Sequence, residues 1–420
     1  MIIRNIFIIY CYLICVSCAN LQSTFGTIKE AVSLKSIYHH TNINGPSPNH
    51  FRRMEIPAIN QASKMPYSLK HVVGTTYRPS NQYKQELFNL GKSGKLLRWS
   101  QEETLYPEKS LIPDVTDHAS VLSLAEMSFN AYTELGKDGQ WYDLGGQWRI
   151  NSTFGWETDG LRGHVFGNTD NSLLIISFKG TTAGIYGEPT GEKDKLNDNL
   201  LFSCCCGKLG PTWKPVCSCM DNKAKYQCDA KCLDESVANS EMYYDYASSI
   251  YIDTYERYPN ATIWLTGHSL GGAVASLVGQ TFGVPAVSFE SPGDRSAARR
   301  LHLPHAPGAP DMPIWHFGHT ADPIFIGVCT GPTSGCFYAG FAMETRCHTS
   351  KVCVWDTVKD KGWRVNVAYH RIGTIIESIL KRPEDFPLPN CVEETHCEDC
   401  GLWKFSDERD PLLSKNRCAS

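Results

Sequence analysis

Residues 263–274 read IWLTGHSLGGAV, and the reading of these twelve residues decides the fold. Ile263 to Leu265 open an apolar run suited to a buried strand. Gly271, Gly272 and Ala273 begin a segment of small residues that lets a helix lie close against that strand. Between them stands Gly267-His268-Ser269-Leu270-Gly271, a Gly-x-Ser-x-Gly pattern at a strand-to-helix junction. A turn this tight leaves no room for a Cβ at its flanking positions, so glycines are required there. The serine takes a strained backbone, and its hydroxyl projects above the sheet edge at a helix N-terminus. A glycine-rich turn that merely packs helix on strand would explain the glycines but not the serine.

Working outward, the same strand-then-helix unit recurs. SLLIISFKGTT (172–182) is an apolar run ended by Gly180. EMYYDYASSIYIDTYERYP (241–259) is an amphipathic helix ended by Pro259. VPAVSFESPG (284–293) and PIWHFGHTADPIF (313–325) supply two further strand-and-turn units. Upstream, His118 to Leu135 places Val121, Leu122, Leu124, Ala125, Phe129 and Tyr132 on one helical face. Strand-like pieces lie near 146–150 and 162–166. The repeat predicts an α/β protein: an α/β-hydrolase fold with a mostly parallel central sheet, over residues 111–382. Residues 20–110 are polar, carry scattered prolines and read as an extended or loosely folded arm. Residues 183–235 form a cysteine-rich insertion, and 383–420 a cysteine-rich tail.

A serine hydroxyl needs a base to take its proton, and that base needs a carboxylate to orient it. In this fold class the chain order is Ser, acid, His. Asp322 follows an apolar strand and is locked by Pro323, which favours it over Asp294 and Asp311. Of the later histidines, His370 precedes an apolar helix, while His348 and His396 lie among cysteines. The reading is therefore Ser269 as nucleophile, Asp322 as acid and His370 as base. The backbone N–H groups of Leu270 and Thr181 are the expected oxyanion donors. His268, one residue from the nucleophile, points elsewhere and reads as a packed, hydrogen-bonded structural residue. This chemistry calls for no metal and no cofactor.

The chain has 420 residues, 20% of them charged, with a formal charge of −4 and no long basic run. That balance gives no support to nucleic-acid binding, and no obligate protein partner is evident. Protonating the 14 histidines in an acidic compartment would carry the formal charge to +10, which favours anionic lipid surfaces. Eighteen clustered cysteines point to an oxidising compartment. The N-terminus, MIIRNIFIIYCYLICVSCAN, sets Arg4 before an apolar run from Ile6 to Ala19. The run is about 21 Å long as a helix, short of a bilayer core of roughly 30 Å. Residues 1–19 are thus a signal anchor or a cleaved signal, with everything beyond them lumenal or extracellular. Sequons at Asn151 and Asn260 suit that side.

Together these motifs resemble the class 3 lipases, the fungal triacylglycerol-lipase family. A Gly-His-Ser-Leu-Gly-Gly elbow, an Asp-Pro and a late histidine recur there. That family's first central strand usually ends Phe-Arg-Gly-Ser/Thr, and here Lys179 replaces the arginine. SLKSIYHH, FRRMEI, DKLNDNLLFSCCCGKLGPTWKPVCSC, HFGHTADPIFIG and YHRIGTIIESI are more specific. They resemble the autophagy-related vacuolar lipases of fungi. That resemblance implies a single-pass type II membrane protein carried through endoplasmic reticulum, Golgi and multivesicular bodies to the vacuole. There a phospholipase would break down autophagic-body and multivesicular-body vesicles, with membrane phospholipid or neutral lipid as substrate. On this reading the anchor is preferred to a secreted form.

In class 3 lipases the cysteine-rich insertion is where the lid sits. Cys217, Cys219, Cys228 and Cys232 have spacings that zinc could use, but disulfides suit the compartment better. Cys204, Cys205 and Cys206 are expected to find distant partners. Leu200, Leu201, Phe202, Leu209, Trp213 and Val216 are expected to form the lid's lipid-facing surface, against the plainer alternative of packing on the domain.

Overall fold

The computed structural model describes residues 28–40, 51–55, 67–92, 105–132, 161–181, 191–207, 215–220, 226–304, 312–331 and 333–406. The first part of the chain forms strands β1 (Ile28–His40), β2 (Phe51–Glu55) and β3 (Tyr67–Arg78), helix α1 (Asn81–Lys92), strand β4 (Tyr106–Pro113) and helix α2 (His118–Asn130). A hairpin of β5 (Arg162–Gly167) and β6 (Leu173–Phe178) follows. The insertion and the segment after it carry α3 (Gly191–Leu201), β7 (Gln227–Cys228), α4 (Ala230–Asn239) and α5 (Tyr243–Arg257). The repeating units are β8 (Thr262–His268), α6 (Leu270–Phe282), β9 (Ala286–Phe289), α7 (Arg295–Arg300), β10 (Ile314–His319), α8 (Gly335–Ala339) and β11 (Lys351–Trp355). After α9 (Thr357–Lys361) come a 3-10 turn, Val367–His370, and a helix, Ile372–Thr374, continued by π-type turns over Ile375–Leu380. β12 (Cys391–Glu393) and β13 (Lys404–Phe405) close the described chain.

The main sheet runs β12-β11-β10-β9-β8-β6-β5-β1-β3-β4, with β2 on β1. β6, β8, β9, β10 and β11 are mutually parallel. This is the α/β-hydrolase arrangement the repeat predicts. Alternation along each central strand feeds two cores. Leu174, Ile176, Phe178, Ile263 and Leu265 meet α5 and α6 on one face. Leu173, Ile175, Trp264, Phe289 and Phe317 meet α2 and Ile375–Leu380 on the other. Both faces are covered, so these strands read as continuous apolar runs rather than alternating ones. Every residue of α6 is buried.

Residues 20–110 are not a loose arm in their described parts. β1 lies inside the sheet, antiparallel to β5, and β3 and β4 extend it. The pairing of β3 with β4 also crosses the expected domain start at 111. A register shift between Leu34 and Ser36 explains why periodicity did not show. Val32 and Leu34 face the same core as Ile37, so the alternation changes parity at Lys35. Trp264 Nε1 donates to Leu111 O at 2.9 Å, tying β4 to the central strand β8.

Fourteen of the cysteines expected in disulfides pair as seven bridges among the described residues, and Cys418 lies outside them. Cys204, Cys205 and Cys206 bridge to Cys400, Cys228 and Cys217. The sulfurs of Cys206, Cys217 and Cys219 lie close together, but each belongs to a disulfide, against the zinc alternative. The described part of the tail is tied to the domain. Cys391 and Cys397 bridge to Cys353 and Cys347, and β12 pairs with β11. Among the described residues no helix is long and apolar enough to cross a membrane, and the apolar run at 6–19 lies outside them.

Candidate active site

The elbow forms as its glycines require. A Cβ on Gly267 would collide with the Gly271 carbonyl, and one on Gly271 with the Phe178 carbonyl. Ser269 precedes α6 at φ 56°, ψ −131°, outside the regions a serine prefers. Its backbone N–H donates to Phe289 O, and its carbonyl accepts from Gly272 and Ala273. Both ends of the strained residue are therefore fixed.

The structure brings the three residues singled out in the sequence together. Ser269 Oγ and His370 Nε2 are 2.8 Å apart, and His370 Nδ1 and Asp322 Oδ2 are 2.7 Å apart. Asp322 is fully buried, and His370 is 14% exposed, the open end of the relay. Burial alone would raise the Asp322 carboxyl. The facing His370, a bond with Glu290 and the Ile324 N–H more than offset that and hold it at about 2.

The competing candidates lie elsewhere. Asp294 is buried against α6, where Ser276 Oγ and Thr349 Oγ1 donate to it. His348 packs on Phe325 and bonds Ser291 O. His396 is exposed, and Asp311 lies outside the described residues.

The family model for "Lipase (class 3)" matches residues 220–284, across the elbow. ATG15 of Vanderwaltozyma polyspora is 51% identical over 307 residues, 71% of this chain and 54% of that protein. ATG15 of Saccharomyces cerevisiae strain S288c is 41% identical over 436 residues, 93% of this chain and 81% of that protein. The chain belongs to the ATG15 family of class 3 lipases. It spans just over half the length of some curated relatives it matches. Similar solved structures include the Lip2 lipase of Yarrowia lipolytica, at 16% identity and TM-score 0.28, covering 56% of this chain and 77% of that one. The Rhizomucor miehei lipase propeptide complex is 13% identical at TM-score 0.28, covering 72% and 77%.

In this ATG15-family chain, His268 is packed and hydrogen-bonded, as its place beside Ser269 suggests. Its ring also has a specific target. Tyr132 Oη lies 2.7 Å from His268 Nδ1, and His268 Nε2 lies 2.6 Å from His370 O. Burial, with the adjacent His370, lowers its pKa to about 3. The ring is therefore neutral: Nδ1 accepts from the tyrosine, and Nε2–H donates to the backbone of His370. On the other side, His319 Nε2 lies 3.3 Å from Tyr369 O, and Trp363 stacks on Tyr369 at 4.7 Å. Two buried rings thus hold consecutive carbonyls of the loop that delivers His370. Nothing in sequence spacing connects Tyr132 or His319 to this loop; both are reached only through the fold.

The loop after β6 abuts the elbow, where a Cβ on Gly180 would strike His268 O. Thr181 Oγ1 donates to Asp198 Oδ2 at 2.7 Å. Burial raises Asp198 well above the ordinary carboxylate range. Leu270 is the first residue of α6, so its N–H is one of the helix's unpaired N-terminal donors.

The expected lipid-facing residues are a correction. Leu200, Leu201 and Phe202 are at most 1% exposed and pack into the larger core cluster. The buried Arg300 guanidinium donates to the carbonyls of Leu200, Leu201, Ser203 and Cys204, at 2.7–3.3 Å. Phe202 O accepts from Glu344 and Thr345 N–H. Asn199 bonds Gly340 O and Ala342 N. The end of α3 is a strut, not a free flap. Val216 is half-buried against the same core. Leu209, Trp213 and Asn151 lie outside the described residues, and Asn260 is exposed.

Proposed function

We propose that the chain is a serine ester hydrolase acting on acyl esters of membrane glycerolipids, with Ser269, His370 and Asp322 as its catalytic triad. The unbroken relay from Asp322 through His370 to a backbone-strained serine carries this reading. Ser269 Oγ attacks the ester carbonyl while His370 Nε2 takes its proton. Asp322 holds the ring with Nε2 toward the serine and stabilises the imidazolium. Leu270 N–H, at the helix N-terminus, and Thr181 N–H receive the oxyanion. Thr181 Oγ1 is engaged by Asp198, which orients that loop. His370 then protonates the departing alcohol, and water repeats the cycle on the acyl-enzyme.

Family membership supports a lipid substrate. The structure offers that arm less than the sequence promised, because the end of α3 is buried. Seven disulfides and an exposed sequon at Asn260 support placement on the lumenal side of the endomembrane system. Breakdown of autophagic-body and multivesicular-body membranes in the vacuole, by a type II anchored enzyme, belongs to the same proposal.

An active-site phosphonate should label the wild-type protein, and Ser269→Ala should abolish both labelling and turnover, with a loss of at least about 10⁴-fold. A panel of phospholipid vesicles, triacylglycerol emulsion and soluble short-chain esters then reads the substrate class. Turnover of soluble esters alone would sink the lipid arm. Absence of labelling in folded protein would sink the hydrolase and leave a binding module.

A further inference from the structure

Glu290 is the first residue after β9, the strand between the elbow strand and the strand leading to Asp322. Three observations set it apart. Its backbone sits at φ 46°, in the left-handed region that favours glycine. Its N–H donates to Phe317 O at 2.8 Å, which locks it against β10. Its side chain is completely buried, and Oε1 makes no hydrogen bond to a donor. A strained backbone and a buried carboxyl both carry a cost, so a position that keeps both is a candidate for function.

The groups around it define its state. Asp322, from the loop after β10, is within hydrogen-bonding reach of the Glu290 carboxyl. His319, at the end of β10, places Nε2 3.4 Å from Oε1 and its backbone N 3.4 Å from Oε2. Burial, more than the nearby Asp322 charge raises it, lowers the His319 ring below its ordinary value, so it supplies no countercharge. His370 lies beyond Asp322. Two carboxylates cannot both be charged in one dry space of this kind. Asp322 already carries the charge, facing His370. Glu290 therefore keeps its proton, in line with the upward push that burial and the Asp322 charge give it.

We propose that Glu290 is a positioning residue whose neutral carboxyl donates a hydrogen bond to the Asp322 carboxylate, so that the acid behind His370 is a hydrogen-bonded pair rather than a lone aspartate. The inference rests on the triad reading above. The bond fixes Asp322 from the side opposite His370. It also draws charge from the carboxylate, which weakens its hold on an imidazolium. His370 then remains a free base to lower pH than it would beside an isolated aspartate. A hydrolase working in an acidic compartment needs that property, because a protonated histidine cannot take the serine proton.

Two variants separate the bond from the bulk. Glu290→Gln keeps shape, neutrality and an N–H donor toward Asp322. Glu290→Gly removes the donor and relieves the left-handed backbone. Two readouts are taken across pH: the rate of phosphonate labelling at Ser269, and the NMR titration of the ¹³C-labelled His370 ring. Glu290→Gln should overlay wild type on the acid side. Glu290→Gly should move the acid limb and the ring titration upward together by about half to one pH unit, a roughly three- to tenfold loss below the limb. A Glu290→Gly profile that is scaled down without moving would overturn the proposal. So would a Glu290→Gln limb displaced as far as that of Glu290→Gly. The ring titration needs no turnover, so a shifted titration in a protein that never labels would refute the hydrolase and leave the pair standing.

Discussion

Replacing Arg300 with methionine tests whether the end of α3 is a strut or a lid. The guanidinium is buried and serves four carbonyls, those of Leu200, Leu201, Ser203 and Cys204. Methionine fills similar space but donates nothing. Four buried carbonyls left without this donor cost at least about 1 kcal/mol each. Relief of the buried charge returns part of that. The Cys204–Cys400, Cys205–Cys228 and Cys206–Cys217 bridges keep the segment from leaving altogether. The net loss is about 2–4 kcal/mol, read by denaturant unfolding. The effect should also travel, because the same helix carries Asp198, which holds Thr181. Hydrogen exchange over residues 198–206 should rise, and labelling of Ser269 by a soluble phosphonate should slow. Lysine at the same position should recover part of both, since its single ammonium reaches fewer carbonyls. If Arg300→Met leaves stability and exchange at wild-type values, the segment is not held by this cation and the strut account fails. If Arg300→Met instead speeds hydrolysis of vesicles, the segment acts as a cover, as the sequence suggested.

Tyr132→Phe removes the donor to His268 Nδ1 and frees that ring to change tautomer, which sets an unprotonated Nε2 against His370 O. A loss of about 1–3 kcal/mol in stability and a slower kcat with little change in KM are expected; unchanged kcat would remove the ring from the account of the loop. The pH dependence of stability follows from two opposed sets of buried groups. His164, His268 and His316, near 3, 3 and 4, and His319, lowered, stay neutral when folded, while their unfolded forms take protons below about 6.5, so stability falls with falling pH. Asp198 and Glu290, raised well, and Glu344, at about 7, keep protons that the unfolded chain has released above about 4.5, so stability rises as pH falls from 7 toward 4.5. The melting temperature should therefore be nearly flat between pH 6.5 and 4.5; a steep fall there by calorimetry would contradict the opposed sets.

The parts legible in the sequence were those that local sterics dictate. The elbow, β6, β8 and the acid after β10 are short, apolar and punctuated by glycine or proline, and nothing distant changes their reading. Ser269, Asp322 and His370 could be ordered because chain order in this fold is fixed even though spacing is not. Strand β1 was not legible, for a physical reason. The bulge at Lys35 reverses which residues of β1 face inward, so a true core strand shows no single period. Leu200 to Phe202 misled for a different reason. An apolar run in an insertion is the same on paper whether it faces lipid or core, and here the partners that decide it, Arg300 and Glu344, lie about 100 and 140 residues away.

Polar groups illegible in the sequence are also what holds the site in place. The loop presenting His370 makes few apolar contacts of its own: Val367 to His370 contain no buried residue. Its position comes instead from hydrogen bonds between its carbonyls and the rings of His268 and His319, and from the Asn366 N–H to Ala321 O. Such bonds hold only while both rings are neutral with the proton on Nε2, because that nitrogen must donate. Burial secures neutrality, and Tyr132 at His268 and Ala321 N–H at His319 secure the tautomer by donating to Nδ1. The rings that aim His370 resist charging in acid. A site built this way keeps its geometry as pH falls, and it leaves acid tolerance to His370 and the carboxyl pair behind it.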